Sequence, residues 1–279
     1  MKKLIVSALI ALCLGSCTGN RAVEMAYGIA FATASADTTV TLAPTAGSPQ
    51  CTISCSILYA TGAGAAPHIN RTLLSSAALS PILSDNTADG RADGTASRLE
   101  PKVVRAMRAY IQTRLEEYRQ MAAMYHSDAA HADSYGQRIA VSTEVTEGAD
   151  SIINYVMTTH IQTGEEAGQT QTQVVNLSAR TGRQVALTDL IIEGAEEQLP
   201  HDIVAQMARQ MGAAGLAGLR AKGIFVHEKP YIAPNFIVAP EGITFIYNIG
   251  EVAPVEIGDI RVTLHQKNIR KYANHREIL

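Results

Sequence analysis

No tryptophan occurs in the 279 residues, and only four are phenylalanine. Sites that stack sugars usually present exposed aromatic rings, so a broad glycan platform is poorly served by this composition. Charge is sparse at 18% and nearly balanced, with 23 basic against 26 acidic side chains. Binding nucleic acid calls for a basic balance, and this chain's is slightly acidic. Nucleophile elbow, Walker loop and HExxH are all missing, which removes the local signatures of the commonest hydrolases and nucleotide enzymes. After residue 16, no stretch approaches the roughly 18 apolar residues that would indicate a spanning helix.

What is present begins at the N-terminus. Lys2 and Lys3 precede an apolar run from Leu4 to Leu14, and Leu14-Gly15-Ser16-Cys17 follows. The run suits the apolar core of a secretory signal and is far short of the roughly 20 residues needed to cross a bilayer. The last four residues resemble the lipobox of bacterial lipoproteins. In that class the chain is cut before the cysteine, whose thiol takes a diacylglycerol, so Cys17 is the expected lipid-attachment residue and the membrane partner is reached through lipid. Thr18, Gly19, Asn20 and Arg21 place no acid beside it. In the general pattern of lipoprotein sorting, that implies the outer membrane, facing the periplasm. Losing residues 1–16 removes two lysines and no acid, leaving 21 basic and 26 acidic side chains and a formal charge near −5.

Cys13 departs with the signal and Cys17 is acylated, which leaves Cys51 and Cys55. An exported pair invites a disulfide, but Cys51–Tyr59 alternates as a strand. Residues four apart on a strand share a face at about 13 Å, whereas a disulfide needs Cα atoms within about 7 Å. Two unbridged core cysteines are expected.

Residues 17–36 read as a lipidated tether with a possible first strand at its end. Asp37–Leu42 and Cys51–Thr61, separated by Pro44–Pro49, predict a hairpin. Ile69, Leu73, Leu74, Ala77 and Leu83 suggest a short helix running out into a loop-like stretch at Ser84–Ser97. Val103, Val104, Met107, Tyr110, Ile111, Leu115, Tyr118, Met121 and Tyr125 form one apolar stripe at helical spacing, predicting a helix over 101–125 that packs on a sheet. Strands are expected at about 135–146, 151–162 and 170–179 as an antiparallel meander, the third on the alternation Thr172, Val174, Asn176, Ser178. Thr188 is placed as an N-cap, and Pro200 as the start of a helix through Ile203, Val204, Met207 and Met211. Phe236–Val238, Ile243–Tyr247 and Ile260–Leu264 return to β.

Within that last third, Gly242-Ile243-Thr244-Phe245-Ile246-Tyr247-Asn248, then Glu251-Val252-Ala253-Pro254, Gly258 and Val262, resemble the domain of RsiV-type lysozyme-sensing anti-sigma factors and PdaC-type peptidoglycan deacetylases. Upstream, Asn176-Leu177, Thr181-Gly182 and Leu187-Thr188-Asp189-Leu190 match the family's strand–turn–helix entry. The resemblance covers about 80–100 residues well, and it implies a non-catalytic recognition domain with lysozyme-like hydrolases as a partner class. Family members commonly carry a Gly-Gly-Ala-His turn between central strands; Thr163-Gly164-Glu165-Glu166-Ala167-Gly168 stands in its place here. The motif residues read as structural: Asn248 in a turn, Glu251 bridging backbone there, Ala253-Pro254 fixing an extended bend, Gly258 permitting a tight approach.

Two clusters invite a metal. His126, Asp128, His131 and Asp133 have zinc-ligand chemistry, but on a helix the two imidazoles would point about 140° apart. A solvated helix exit accounts for them more simply. Asp85, Thr87, Asp89, Gly90 and Asp93 occupy calcium-loop positions, yet the closing carboxylate position is Ala96, which favours a polar loop. Glu116-Glu117, Glu165-Glu166 and Glu196-Glu197 suit solvated faces better than acid–base pairs. Arg261, Lys267, Arg270, Lys271 and Arg276 against Asp259 and Glu277 suit a solvated last helix better than an anionic-ligand site. No catalytic residue, metal or cofactor is assigned, and the ligand-binding residues stay unknown.

The expected architecture is α+β, antiparallel sheets with packed helices in two closely associated modules: signal 1–16, tether 17–36, N-terminal module 37–182 and RsiV-like module 183–279. The expected function is non-catalytic binding or sensing, at the cell envelope, of a lysozyme-like protein or a peptidoglycan-related ligand. An enzyme or accessory factor acting on cell-wall glycans, and a structural envelope lipoprotein in a larger assembly, are the competing functions.

Overall fold

The hairpin expected from Asp37 and Cys51 is longer than its alternation suggested. In the computed structural model, which describes residues 23–43, 47–76, 100–121 and 134–274, strand β2 (Ile29–Thr41) pairs antiparallel with β3 (Gln50–Gly62) over its whole length. Residues 29–36 therefore belong to a sheet rather than to the tether. The sequence concealed this because Ala30, Ala32, Ala34 and Ala36 give a strand little apolar contrast. A short β1 (Val23–Glu24) adds an edge to β2.

From β3 the chain crosses over through α1 (Ala66–Ser75) and α2 (Glu100–Gln120) to β4 (Gln137–Glu147). It joins β3 in parallel, Cys51 opposite Gln137 through Ser56 opposite Ser142. The antiparallel meander expected for the next strands then follows as β4, β5 (Ile152–Thr163) and β6 (Gln169–Ser178), completing a mixed six-stranded sheet. The expected stripe of α2 closes one face: Met107, Tyr110, Ile111, Leu115 and Tyr118 are buried with Ile53, Ile57, Ile139 and Val141. At about 1.5–3 kcal/mol per fully buried large side chain, this contact outweighs any propensity term in holding the helix.

Past Ser56, β3 peels away from β4, and side chains take over its backbone. Leu58 N–H donates to Thr143 Oγ1 (2.7 Å), and Tyr155 OH donates to the Leu58 carbonyl (2.9 Å). Asn70 on α1 holds Ala60 twice, accepting its N–H and donating to its carbonyl, both at 2.7 Å.

Cys51 and Cys55 lie on the α2-facing side of β3, fully buried and unbridged. Burial pushes the Cys51 thiol up to about 11. Burial, with Asp37 adding to it, pushes Cys55 up to about 12. With almost no thiolate at neutral pH, a folded chain starting at about residue 22 should leave a thiol reagent unconsumed and react with two equivalents only on unfolding. Fast native-state labelling, read by absorbance, would contradict the buried placement.

The second unit starts with a single-turn helix α3 (Leu187–Leu190). Its cap differs from expectation: Ala186 is the N-cap residue, and Asp189 reaches back to accept the Ala186 N–H (2.8 Å). Helix α4 (Ala195–Gln210) likewise starts five residues before Pro200, after Gly194 turns the chain at φ 83°. Pro200 sits near enough to the start that only the bond to the Glu196 carbonyl is forgone. After α5 (Gly215–Ala221) come β7 (Asn235–Ala239), β8 (Gly242–Tyr247) and β9 (Ile260–His265), an antiparallel three-stranded sheet, then α6 (Gln266–Ile269). Leu199, Ile203, Val204 and Met207 of α4 share its core with Val238, Phe245, Val262 and Leu264. Among the described residues, no helix is long and apolar enough to cross a membrane.

Candidate functional site

Asparagines join the two sheets. On β5, Asn154 accepts the Val238 N–H (2.9 Å) and donates to the Val238 carbonyl (3.0 Å). On β6, Asn176 donates to the Phe236 carbonyl (3.0 Å). In return, Asn235 accepts the Val174 N–H (3.0 Å), while Asn248 accepts the Thr172 N–H (2.6 Å) and donates to its carbonyl (3.0 Å). A carboxamide carries one acceptor and two donors, so a single side chain imitates one rung of a ladder without the strands having to pair. Sequence reasoning placed Asn248 in a turn and Asn176 on an ordinary alternating face. Both faces of β6 are covered here, Val175 and Leu177 by the first core and Thr172 and Asn176 at the junction. An asparagine set between Val175 and Leu177 in a β-forming run was the available signal.

Between these clamps lies a cavity of about 260 Å³, lined by Val174, Asn176, Val185, Leu187, Ile232 and Phe236 among others, with no charged side chain on its wall. Asn176 is almost fully buried, and its Oδ1 has no hydrogen-bond partner.

Glu251 serves the turn after β8. Its Oε2 accepts the Asn248 N–H (2.7 Å), and its Oε1 accepts from the Tyr231 hydroxyl (2.8 Å). Burial and this carboxylate push the Tyr231 phenol above its usual range, so it remains a donor. Glu251→Gln retains one good acceptor and should cost no more than about 1 kcal/mol, whereas Glu251→Ala orphans two donors and should cost about 1–3 kcal/mol. Thermal unfolding of the pair checks this; equal losses would mean that the carboxamide cannot serve the turn. Pro254 is extended (φ −54°, ψ 149°), as its bend requires. Gly258 differs from expectation: nothing lies within 4 Å of a Cβ built there, and φ of +81° is what calls for glycine.

A second polar group lies at the turn before β5. Tyr27 OH and Ser151 Oγ are 2.7 Å apart, and Arg180 Nε donates to the same Oγ (3.3 Å). Tyr27, Asp150 and Ser151 all have positive φ (63°, 48° and 66°). The bonds from Ser151 and Arg180 draw the Tyr27 phenol below its ordinary value. The ring is 54% exposed, so bulk water competes at every atom; the group fastens the start of β2 to the turn before β5.

The paired acids occupy solvated positions: Glu117 meets Arg114 (2.7 Å), Glu116 meets Arg119 (3.7 Å), and Glu196-Glu197 fall in the first turn of α4. Of the C-terminal cations, Lys271 pairs with Asp202 (2.6 Å) and Arg261 with Asp259 (2.7 Å), and Arg261 belongs to strand β9 rather than a last helix. Arg276 and Glu277, Cys17, and both metal-like clusters, Asp85–Asp93 and His126–Asp133, lie outside the described residues. Among the described residues, no three His, Cys, Asp or Glu side chains are placed to hold a metal ion.

The strand–turn–strand around Asn248 and Glu251, with the helix entry at Asp189, coincides with a family match over residues 188–267. The matching family is DUF3298. The family is described as a protein of unknown function. Two solved structures share the wider fold. A DUF3298 family member from Bacteroides fragilis NCTC 9343 superposes with a TM-score of 0.72 at 16% identity, covering 88% of this chain and 94% of that one. A DUF3298 family protein from Pseudomonas aeruginosa PAO1 gives 0.51 at 13% identity, covering 87% and 94%. At such identity the likeness is one of fold, and it extends well beyond residues 188–267 into the six-stranded sheet. No curated protein matches the chain in sequence.

Proposed function

We propose that this chain is a lipid-anchored envelope protein, attached through Cys17 on the periplasmic side of the outer membrane, that recognises a ligand without transforming it. The observation that carries this reading is the junction, where asparagine rungs lock the DUF3298-matching segment against the edge of a larger sheet and leave a cavity between them. Such a joint fixes the relative placement of two sets of loops, which suits recognition of a large partner. The RsiV-type resemblance supports a lysozyme-like hydrolase as that partner, and a mature charge near −5 would attract a basic enzyme at low salt. A peptidoglycan-related ligand is the other candidate the resemblance supports.

The test is direct binding of the soluble chain, starting at about residue 22, to purified lysozyme at physiological salt. Saturable binding that blocks hydrolysis is expected. A folded sample that neither binds nor inhibits would remove the hydrolase as partner and reduce the resemblance to one of fold.

A further inference from the structure

We propose that the end of the six-stranded sheet at which the chain enters is a membrane-docking surface, seated on lipid headgroups by the anchor at Cys17. This rests on the lipid-anchored reading above and assigns the face that the protein turns to the bilayer. The strand register fixes which end that is. Strand β1 pairs at the start of β2, with Val23 opposite Phe31, and β2 starts against the close of β3, with Ile29 opposite Gly62. At the same end β4 stops, β5 starts and β6 stops, with Glu147 opposite Ile153 and Ile152 opposite Ser178. The Ala26 N–H donates to Glu147 Oε1 (2.7 Å) and ties the entering chain to the close of β4.

Val23 stands six positions after Cys17. Fully extended, that length of chain spans at most roughly 20 Å. Strand β5 has 12 residues and carries the sheet about 40 Å to its other end, the turn at Gly164–Gly168. A tether half as long as the sheet cannot stand the sheet on that far turn. It leaves the entry end, or a flank beside it, to meet the lipid.

The side chains select the end. Val23 (42% exposed) and Tyr27 (54%) are large apolar groups held out in solvent there. The Arg180 guanidinium lies 5.7 Å from the Tyr27 ring centroid, and exposed Arg183 is beside it in the turn after β6. A tyrosine ring with a polar tip, next to arginines with apolar stems, suits the headgroup level of a bilayer. The solvent-facing flank of β2 and β3 offers Ser35, Asp37, Thr39 and Ser54 instead, with no apolar or cationic side chain among them. Glu24, Glu147 and Asp150 are also exposed at the entry end, so attraction to anionic lipid does not by itself hold the protein there. The acyl chains on Cys17 provide the attachment, and Val23, Tyr27, Arg180 and Arg183 set the orientation. The Glu165-Glu166 turn is then carried farthest from the bilayer.

The chain has no tryptophan, so one introduced tryptophan is a single reporter. The full chain, expressed with its own leader in a bacterial host, is reconstituted into vesicles of phosphatidylethanolamine and phosphatidylglycerol that contain a lipid spin-labelled near the headgroup. Fluorescence of Val23→Trp should be quenched at least roughly threefold more than that of Ala167→Trp, on the exposed far turn. Tyr27→Trp gives a second reporter at the entry end and should behave like Val23→Trp. Adding Arg180→Glu and Arg183→Glu should cut the Val23→Trp quenching roughly two- to fivefold, with sedimentation on the vesicles unchanged. Equal quenching of the near and far reporters, or quenching indifferent to the two charge reversals, would overturn the docking surface in a protein still bound to vesicles, and the lipid-anchored reading would stand. Mass spectrometry that finds no diacylglycerol on Cys17 would remove the anchored reading, and the docking surface with it.

Discussion

Replacing Asn154 with alanine should lower the unfolding free energy by about 3–5 kcal/mol, measured by denaturant titration. The residue is 1% exposed, and its carboxamide is the partner of both the Val238 N–H and the Val238 carbonyl in the other sheet. Alanine leaves both groups buried and unpaired, each at about 1–3 kcal/mol, and adds a small cavity. Asn154→Asp should do no better, since it keeps the acceptor for the N–H but sets a carboxylate against the carbonyl. The loss should also be local. Hydrogen exchange should show β7, its neighbour β8 and then β9 losing protection, while amides in α2, packed on the other face of the large sheet, keep theirs. Unchanged protection in β7 would mean that the junction is held by the apolar contacts alone.

How far the fold was legible depends on which force shaped each part. The α2 stripe, the β4–β5–β6 meander and the β7–β9 strands were readable, because burial writes a period into the sequence and Met107, Ile139, Tyr155 and Phe245 are where that period places them. The parallel seam between β3 and β4 was not, since Cys51–Ser56 alternates in the same way whichever direction its neighbour runs. Residues 29–36 were legible only as a possible strand at the end of a tether, because alanine fits a strand and a tether about equally well. The candidate site fared worse still. Its walls are mostly ordinary apolar residues, and its frame is a set of asparagines whose partners lie 60 to 84 positions away. Local spacing carries no trace of such pairs. Glu251 was legible because its partner Asn248 is three residues off, inside one turn.

Gly148→Ala should destabilise the protein by about 2–3 kcal/mol, and the reason is proximity rather than backbone conformation. Gly148 has φ −96° and ψ −173°, which any residue adopts. A Cβ there would sit 2.4 Å from the Val238 carbonyl oxygen and 3.0 Å from Asn154 Nδ2. That oxygen cannot retreat freely, because Val238 is also paired with Ile243 in β8 and fully buried in the second core. The added methyl must push β7 away from β5, stretching the same two hydrogen bonds that Asn154→Ala deletes. The two substitutions should therefore not add. With Asn154 already alanine, β7 is free to recede and the methyl meets less resistance, so the double variant should be more stable than the sum predicts by at least about 1 kcal/mol. Additivity to within about 0.5 kcal/mol would show that Gly148 and Asn154 act on separate contacts. The junction would then be a loose apposition of two domains rather than the single rigid joint on which recognition by this protein is argued to depend.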